Sequence, residues 1–248
     1  MLSEKRHEII LNLLKLKGFV SLTELLEATE SSESTIRRDL SYLESINLLK
    51  RVHGGAKSLA NVSKELSYNE KSSKSIHEKR AIAKYAASLI EDGDCIFVDA
   101  GTTTYELIDY LEGKDILVVS NGLSHIDTLI QKNIKCYVIG GNIKISTKAI
   151  TGCDALMCLS KFRFDKCFIG ANGVHHTYGL TTPDTEEAIL KECAINNSRK
   201  AYVLADDSKF GEISTIKFSD INKCVIITNE KPEDNTYDKK TDIKVVDI

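Results

Sequence analysis

The stretch from Ser34 to Leu40, STIRRDL, sets two adjacent arginines, Arg37 and Arg38, in front of a carboxylate, and Lys50, Arg51 and Lys57 follow it closely. A guanidinium fork can bridge O6 and N7 of guanine in the major groove or clamp a phosphate, while small hydroxyl residues such as Ser34 and Thr35 let a backbone approach closely. The arginines are also open to a plainer reading, as solvated charges pairing with neighbours on their own helix, contacts that are worth little. The charge distribution bears on the choice. Residues 36–57 carry a net +3, whereas residues 1–35 carry −2 and the whole chain −3. A basic stripe inside an acidic chain points to a polyanionic partner better than the overall charge does.

A second set of polar residues follows short apolar runs: Asp99-Ala100-Gly101-Thr102-Thr103-Thr104, Ser120-Asn121-Gly122, Gly140-Gly141-Asn142, Gly170-Ala171-Asn172-Gly173 and Asp206-Asp207-Ser208-Lys209. Glycine permits a tight turn, amides and hydroxyls can hold an anion where a helix begins, and Lys209 can neutralise a phosphate or bond a sugar hydroxyl. Threonine also caps helices for structural reasons alone, so the Gly-Thr-Thr-Thr run has two readings. Glu186 and Glu187, after TTPDT, can accept hydroxyls or simply complement the dipole of a helix start. His175 and His176 are adjacent but lack a third ligand at metal-site spacing and read as loop residues. The seven cysteines form no C-x-x-C pair, and Cys95, Cys136, Cys167 and Cys224 fall in apolar runs as small hydrophobes, so no metal and no cofactor is expected.

The elements that must position the first set are three helices and a hairpin. Ile9, Ile10, Leu13 and Leu16 recur at helical spacing before Gly18; Ser21 and Glu24 form a capping box ahead of Leu22, Leu25 and Leu26. Ser32 is the expected cap of a third helix whose apolar face is Ile36, Leu40 and Leu43. Ser34, Arg38, Ser41 and Tyr42 then lie opposite that face, with Thr35 and Arg37 flanking. Asp39, between the two sides, is placed to buttress a basic residue of the hairpin. A short helix followed by one with an exposed Ser/Thr/Arg end has the form of a helix-turn-helix, and the run around Gly54-Gly55 reads as a wing bringing Lys50 and Arg51 to the phosphate backbone.

The second set needs a different scaffold. After a polar stretch read as a linker, Ile82, Tyr85, Ala86, Leu89 and Ile90 make an amphipathic helix. The runs CIFVDAG, DILVVSNG, KCYVIGG, KCFIGANG, AYVLADD, KCVIITN and IKVVDI then alternate with helical segments. This pattern predicts a mostly parallel sheet covered on both faces, with ligands at the carboxyl ends of its strands. With 248 residues, 42% of them hydrophobic, the chain suffices for a small and a medium domain. No apolar run approaches the roughly 20 residues of a membrane span, and no signal peptide is read at the N-terminus, so a cytoplasmic, membrane-free protein is expected.

The stretch STIRRDLSYLESINLLKRVHGGA resembles the N-terminal signature of DeoR-family bacterial transcription regulators, an S-x-x-T-[IV]-R-R-D-L helix followed by a basic R-x-H-G-G-A wing. The segments DAGTTT, SNG, IGG, GANG and ADDSKFG resemble that family's effector domain in order and spacing, so the resemblance covers about residues 3 to 230. It implies an α/β protein with an N-terminal winged helix-turn-helix over 3–58, a linker over 59–75, and a sugar-phosphate-isomerase-like sensor domain over 76–248. Within the family, the runs EKRAIAKYAASLIEDGDCIFVDAGTTTYEL and TTPDTEEA look closest to fructose-operon repressors, which respond to fructose 1-phosphate.

The expected DNA-binding residues are Ser34, Thr35, Arg37, Arg38, Tyr42, Lys50, Arg51 and His53, acting in a dimer or tetramer on double-stranded operator DNA. The expected effector residues are Asp99, Gly101, Thr102, Thr103, Thr104, Asn121, Gly141, Asn172, Glu187 and Lys209, with a phosphorylated sugar as the ligand. The rival reading is a sugar-phosphate isomerase, whose chemistry needs a carboxylate base. The related isomerases carry D-G-A-D where this chain has Ile169-Gly170-Ala171-Asn172, so both carboxylates are missing. An amide can bond a sugar but cannot take its proton. A sensor without catalysis is therefore expected, although Asp99 and Glu187 leave the enzyme reading open.

Overall fold

Arg6, Ile10 and Leu14 share one face of the first helix, α1 (Ser3–Lys17), and all three are buried. The computed structural model describes residues 3–17, 19–46, 48–52, 54–58, 66–232 and 234–248. Ile9 and Leu13 are half-buried beside the core face, while Gly18 and the side chain of Leu16 lie outside the described residues. The chain divides into two units, residues 1–64 and 65–248.

In the first unit, α1 is followed by β1 (Phe19–Ser21), α2 (Leu22–Thr29), α3 (Glu33–Ser45), β2 (Leu49–Val52) and β3 (Gly55–Ser58). Ser21 caps α2 through the expected capping box: its hydroxyl accepts from the amide of Glu24, and the Glu24 carboxylate accepts from the amide of Ser21 at 2.9 Å. Ser32 holds the cap position of α3 with extended backbone but makes no side-chain cap bond. The strands form an antiparallel sheet in the order β1-β3-β2, and Gly54, at φ +80°, supplies a left-handed turn between β2 and β3. Ile10, Leu14, Val20, Leu25, Ile36, Leu40, Leu43, Leu49 and Ala56 make one apolar core. This is a winged helix-turn-helix.

In the second unit, α4 (Tyr68–Ser72) and α5 (Ile76–Ser88) lead into β4 (Cys95–Val98), α6 (Thr102–Leu107), β5 (Leu117–Ser120), α7 (Leu123–Gln131) and β6 (Cys136–Val138). A hairpin of β7 (Asn142–Lys144) and β8 (Ala149–Thr151) precedes α8 (Cys153–Leu159) and β9 (Phe164–Gly170). Then come β10 (Gly173–His175), β11 (Gly179–Thr182), α9 (Thr185–Asn196), β12 (Ser198–Leu204), β13 (Ile216–Ser219), β14 (Val225–Thr228) and β15 (Ile243–Val245). Residues 59–65 of the stretch read as linker lie outside the described residues. Its remainder holds α4, which Ser67 and Glu70 start with a second capping box.

The seven apolar runs expected as strands form one parallel sheet in the order β15-β14-β12-β9-β4-β5-β6. Successive residues alternate between its faces. Ile96, Val98, Val118, Phe168 and Leu204 pack with α5, α6 and α7, whereas Phe97, Val119, Cys167, Ile169 and Val203 pack with α8 and α9. Burial pushes the Cys167 thiol up to about 12, in keeping with a packing role. The sequence pattern did not expose the small antiparallel sheet β10-β11-β13 or the β7-β8 hairpin. Among the described residues, no helix is long and apolar enough to cross a membrane.

Candidate functional site

The first candidate surface is the outer face of α3. Ser34, Arg37, Arg38, Ser41 and Tyr42 are exposed there and Thr35 is half-buried. The hydroxyls of Ser34 and Thr35 each lie close to that of Ser32, at 3.1 and 2.9 Å, so three small polar groups gather at the helix start. Arg37 is held by Glu33 one turn back, with Nη2 2.7 Å from Oε1. Arg38 meets no hydrogen-bonding or ionic partner among the described residues. Arg51 reaches back from the hairpin to Ser41 and to Glu44, whose Oε1 accepts from the Arg51 amide at 2.8 Å. Lys50 is exposed beside it, and His53 lies outside the described residues.

Asp39 does not buttress the hairpin. It is buried, and its carboxylate accepts from Arg6 Nε at 2.7 Å and Nη2 at 3.1 Å, with His7 Nε2 3.2 Å away. The helical phase carries it toward α1, which brings its own buried arginine. Burial alone would raise the Asp39 pKa, but its bonds to Arg6 and His7 outweigh that and leave the carboxyl below its ordinary value. Tyr42 stacks on the same His7, with ring centroids 5.3 Å apart. Arg6 and His7 therefore fix the angle at which α3 leaves the core.

The second candidate site follows from strand order. From β4 the chain runs outward through β5 and β6, then returns to lay β9 on the other side of β4 and continues outward through β12, β14 and β15. The carboxyl ends of β4 and β9 thus flank a topological switch point, where open α/β sheets leave a crevice. Asp99, just after β4, is 3% exposed and bonds across the switch: Oδ2 accepts from the Gly170 amide at 3.0 Å and pairs with Lys191 of α9. Lys191, 6% exposed, also donates to the Gly170 carbonyl at 3.0 Å.

The expected effector residues fall into two kinds. Some build the rim. Thr104 is fully buried and donates to the Asp99 carbonyl at 2.6 Å, and Asn121 accepts from the Ala100 amide at 2.9 Å. Gly101 leaves room for Thr104, since a Cβ there would stand 2.9 Å from its hydroxyl. Gly141 takes φ +149°, and a Cβ there would strike the Thr151 carbonyl at 2.4 Å. Others present unused polar groups. The hydroxyls of Thr102 and Thr103 have no partner among the described residues. Asn172 accepts from Thr182 at 3.1 Å with its oxygen only, and the half-exposed Lys209 stands 3.8 Å from Asp206 and donates to the Ser208 hydroxyl at 3.1 Å, keeping further donors for a ligand. Glu187 is buried at the start of α9, where it accepts from Thr147 at 2.7 Å and Lys144 at 3.2 Å. With Glu186, which accepts from Thr151 at 2.7 Å, it ties the β7-β8 hairpin to α9.

The structure adds Lys79, Lys144, Lys191 and His125 to this rim. The first and third were legible in principle, since Lys79 is in phase with the buried Ile82, Ala83 and Ala86, and Lys191 with Ala188 and Ala194. A lysine on an apolar stripe must have something to meet. His125 is fully buried against Gly122, and neither ring nitrogen has a hydrogen-bond partner among the described residues. Burial pushes its pKa down to about 4, against the opposing pull of Asp99. An unfolded imidazole titrates near 6.5, so between these values the unfolded chain binds more protons. The contribution of His125 to the stability of the second unit is therefore complete above about 6.5 and is lost as pH drops toward about 4. His125→Leu is expected to flatten the pH dependence of that unit's melting temperature across this window; an unchanged slope would refute the assignment.

Elsewhere, His175 and His176 stack on each other at 4.4 Å, and His175 Nδ1 accepts from the amides of Thr177 and Tyr178. Among the described residues no group of three or more His, Cys, Asp or Glu is placed to hold a metal ion.

Comparison with known proteins bears on both surfaces. Residues 6–62 match the DeoR-like helix-turn-helix domain, and residues 74–230 match the DeoR C-terminal sensor domain. The chain is 51% identical over 250 residues to the uncharacterized HTH-type transcriptional regulator FruR of Bacillus subtilis (strain 168), covering 99% of each. It is 35% identical to the lactose phosphotransferase system repressor of Staphylococcus aureus, covering 100% of each. Among solved structures it is similar to ribose 5-phosphate isomerase A from Neisseria gonorrhoeae, with a TM-score of 0.41, 19% identity, and 53% and 52% of the two chains covered.

Proposed function

The chain belongs to the DeoR family of transcriptional regulators, and from that premise we propose that it represses a sugar-utilisation operon and leaves its operator when a phosphorylated sugar, fructose 1-phosphate, binds the second unit. The observation that carries the DNA half of this reading is Arg38: an exposed guanidinium without a partner among the described residues, on the outer face of the second helix of a helix-turn-helix. Ser34, Thr35 and Arg37 lie beside it, with Tyr42 one turn on; Lys50 and Arg51 belong to the adjoining hairpin, and His53 follows Val52 in the sequence. Such heads read half-sites in pairs, so a dimer or tetramer on a repeated operator fits the reading.

The effector half rests on the switch point. Thr102, Thr103, Asn172 and Lys209 offer donors for a phosphate and sugar hydroxyls, while Asp99, Gly101, Thr104, Asn121, Gly141 and Glu187 shape the rim that presents them. The same geometry favours sensing over turnover. Asp99 is engaged by Lys191 and Glu187 by Lys144 and Thr147, so neither carboxylate stands ready to move a proton between sugar carbons. For release to follow, the sugar phosphate must bind the DNA-incompetent state more tightly. A coupling of roughly 1–3 kcal/mol gives a 5–150-fold change in operator affinity. The runs that resemble fructose-operon repressors favour fructose 1-phosphate, with fructose 6-phosphate and tagatose 6-phosphate as the competitors to test beside it.

The test is release of the protein from its own upstream DNA by fructose 1-phosphate, fructose 6-phosphate and tagatose 6-phosphate. Fructose 1-phosphate is expected to act at the lowest concentration. Release first by another sugar phosphate would move the effector assignment, and failure to bind that DNA at low salt would end the repressor reading.

A further inference from the structure

Lys79, in the first turn of α5, is 4% exposed, and its Nζ donates to the backbone oxygen of Lys71 in α4. Among the described residues no carboxylate comes within ion-pair distance of it. Asp206 and Glu106 act on it only from farther off, and Lys209 opposes them. A buried ammonium whose one bond is to a neutral carbonyl keeps two donors and most of its charge uncompensated. Burial accordingly pulls its pKa below the ordinary lysine value.

Its position in the fold says what could compensate it. The far end of α5, at Ser88 and Leu89, shares a hollow with Asp94, Lys166 and Arg199, at the amino ends of the central strands. The helix therefore runs against the strands, and its first turn lies at their carboxyl ends, near Asp206 and Lys209. That is the rim of the switch-point site. α4 is the first element of the second unit that the chain forms after leaving the winged helix. Besides Lys79, it is held by Tyr68, whose amide donates to the Ser146 carbonyl at 2.7 Å and whose ring lies under Lys148 Nζ at 4.9 Å.

We propose that Lys79 is a phosphate ligand of the effector site, and that phosphate bound there holds α4 docked. This rests on the sugar-phosphate reading above. The coupling follows from solvation. Docking α4 over Lys79 removes water from an ammonium and supplies a carbonyl in return, which costs free energy. An anion at the rim offsets that cost, so phosphate binding and α4 docking favour one another. Because α4 begins where the link to the DNA-binding unit ends, its docking is the point at which effector occupancy reaches the rest of the chain.

Hydrogen exchange of the full-length protein, with fructose 1-phosphate, inorganic phosphate or unphosphorylated fructose, tests this directly. Amides of residues 68–74 are expected to exchange about tenfold more slowly with either phosphate and to be unaffected by fructose. Lys79→Gln is expected to weaken fructose 1-phosphate binding about tenfold or more and to abolish that protection. Unchanged affinity in the variant, or unchanged or faster exchange over 68–74 in the saturated wild type, would overturn the proposal. Should the variant misfold, the wild-type exchange decides alone. A wild-type protein that binds operator DNA but none of the sugar phosphates would overturn the effector reading, and the Lys79 assignment with it.

Discussion

Arg38→Ala is expected to abolish specific operator binding while sugar-phosphate affinity stays within about a factor of two. A bidentate arginine contact to a base contributes about 1–3 kcal/mol of discrimination, or about 5–150-fold for each reading head. In a two-headed complex the loss applies twice. Two features make Arg38 the sensitive position. Among the described residues it has no partner to give up, whereas Arg37 must first leave Glu33. Its helix is also fixed from beneath by the buried pairing of Arg6 with Asp39, which limits the disorder the contact must overcome. Arg37→Ala should accordingly cost less and do so with little dependence on sequence. Fluorescence anisotropy at constant salt, on operator and scrambled DNA, separates the two. Equal losses on both DNAs for Arg38→Ala would make it a backbone contact instead, and an unchanged affinity would remove it from the interface.

Lys191→Met is expected to destabilise the second unit by about 3–5 kcal/mol, the range for stripping one partner from a buried ion pair. For a unit of this size that is a fall of roughly 6–20 °C in melting temperature. The variant leaves Asp99 buried with its carboxylate facing, among the described residues, the Gly170 amide alone. It also removes the bond from Lys191 to the Gly170 carbonyl, which with the first holds the ends of β4 and β9 together. Adding Asp99→Asn to Lys191→Met should recover much of the loss, because no unpaired charge then remains. Calorimetry of the two single variants and the double variant measures the pairing. Additive losses would mean that the two groups do not act as a pair.

How much of this could be read beforehand differs from residue to residue. The seven strands were legible because each is a short apolar run, the five inner ones largely buried on both faces, and the Ser21–Glu24 capping box because its chemistry is local. The outward direction of Arg38 followed from phase alone. The charged members of buried stripes, Arg6, Asp39, Lys79 and Lys191, carry that same phase signal, but a charge invites a surface reading until its partner is known. Those partners are remote: Asp99 and Lys191 are 92 residues apart, and Arg6 and Asp39 are 33. Asp99 and Lys191 meet only because β9 returns to lie beside β4 with α9 packed on it, and Arg6 meets Asp39 only because α1 packs against α3, choices of neighbour that no local pattern encodes. For the same reason Asp99 and Glu187 read as groups awaiting a ligand, whereas both already have protein partners.

The placement of β9 beside β4 also sets an order of events during synthesis. Every residue of the winged-helix core lies within the first 56 positions, so its contacts can all close early. The central pairing of the second unit joins Phe97 to Cys167, and the Asp99 bond waits for Lys191. Non-local parallel pairing is slow to form, and domains completed first on the ribosome tend to fold first. A nascent or prematurely terminated chain ending before Phe164 would thus carry a complete reading head and no switch point. On the reading proposed above, such a chain would keep the DNA-contacting surface and lack the effector site.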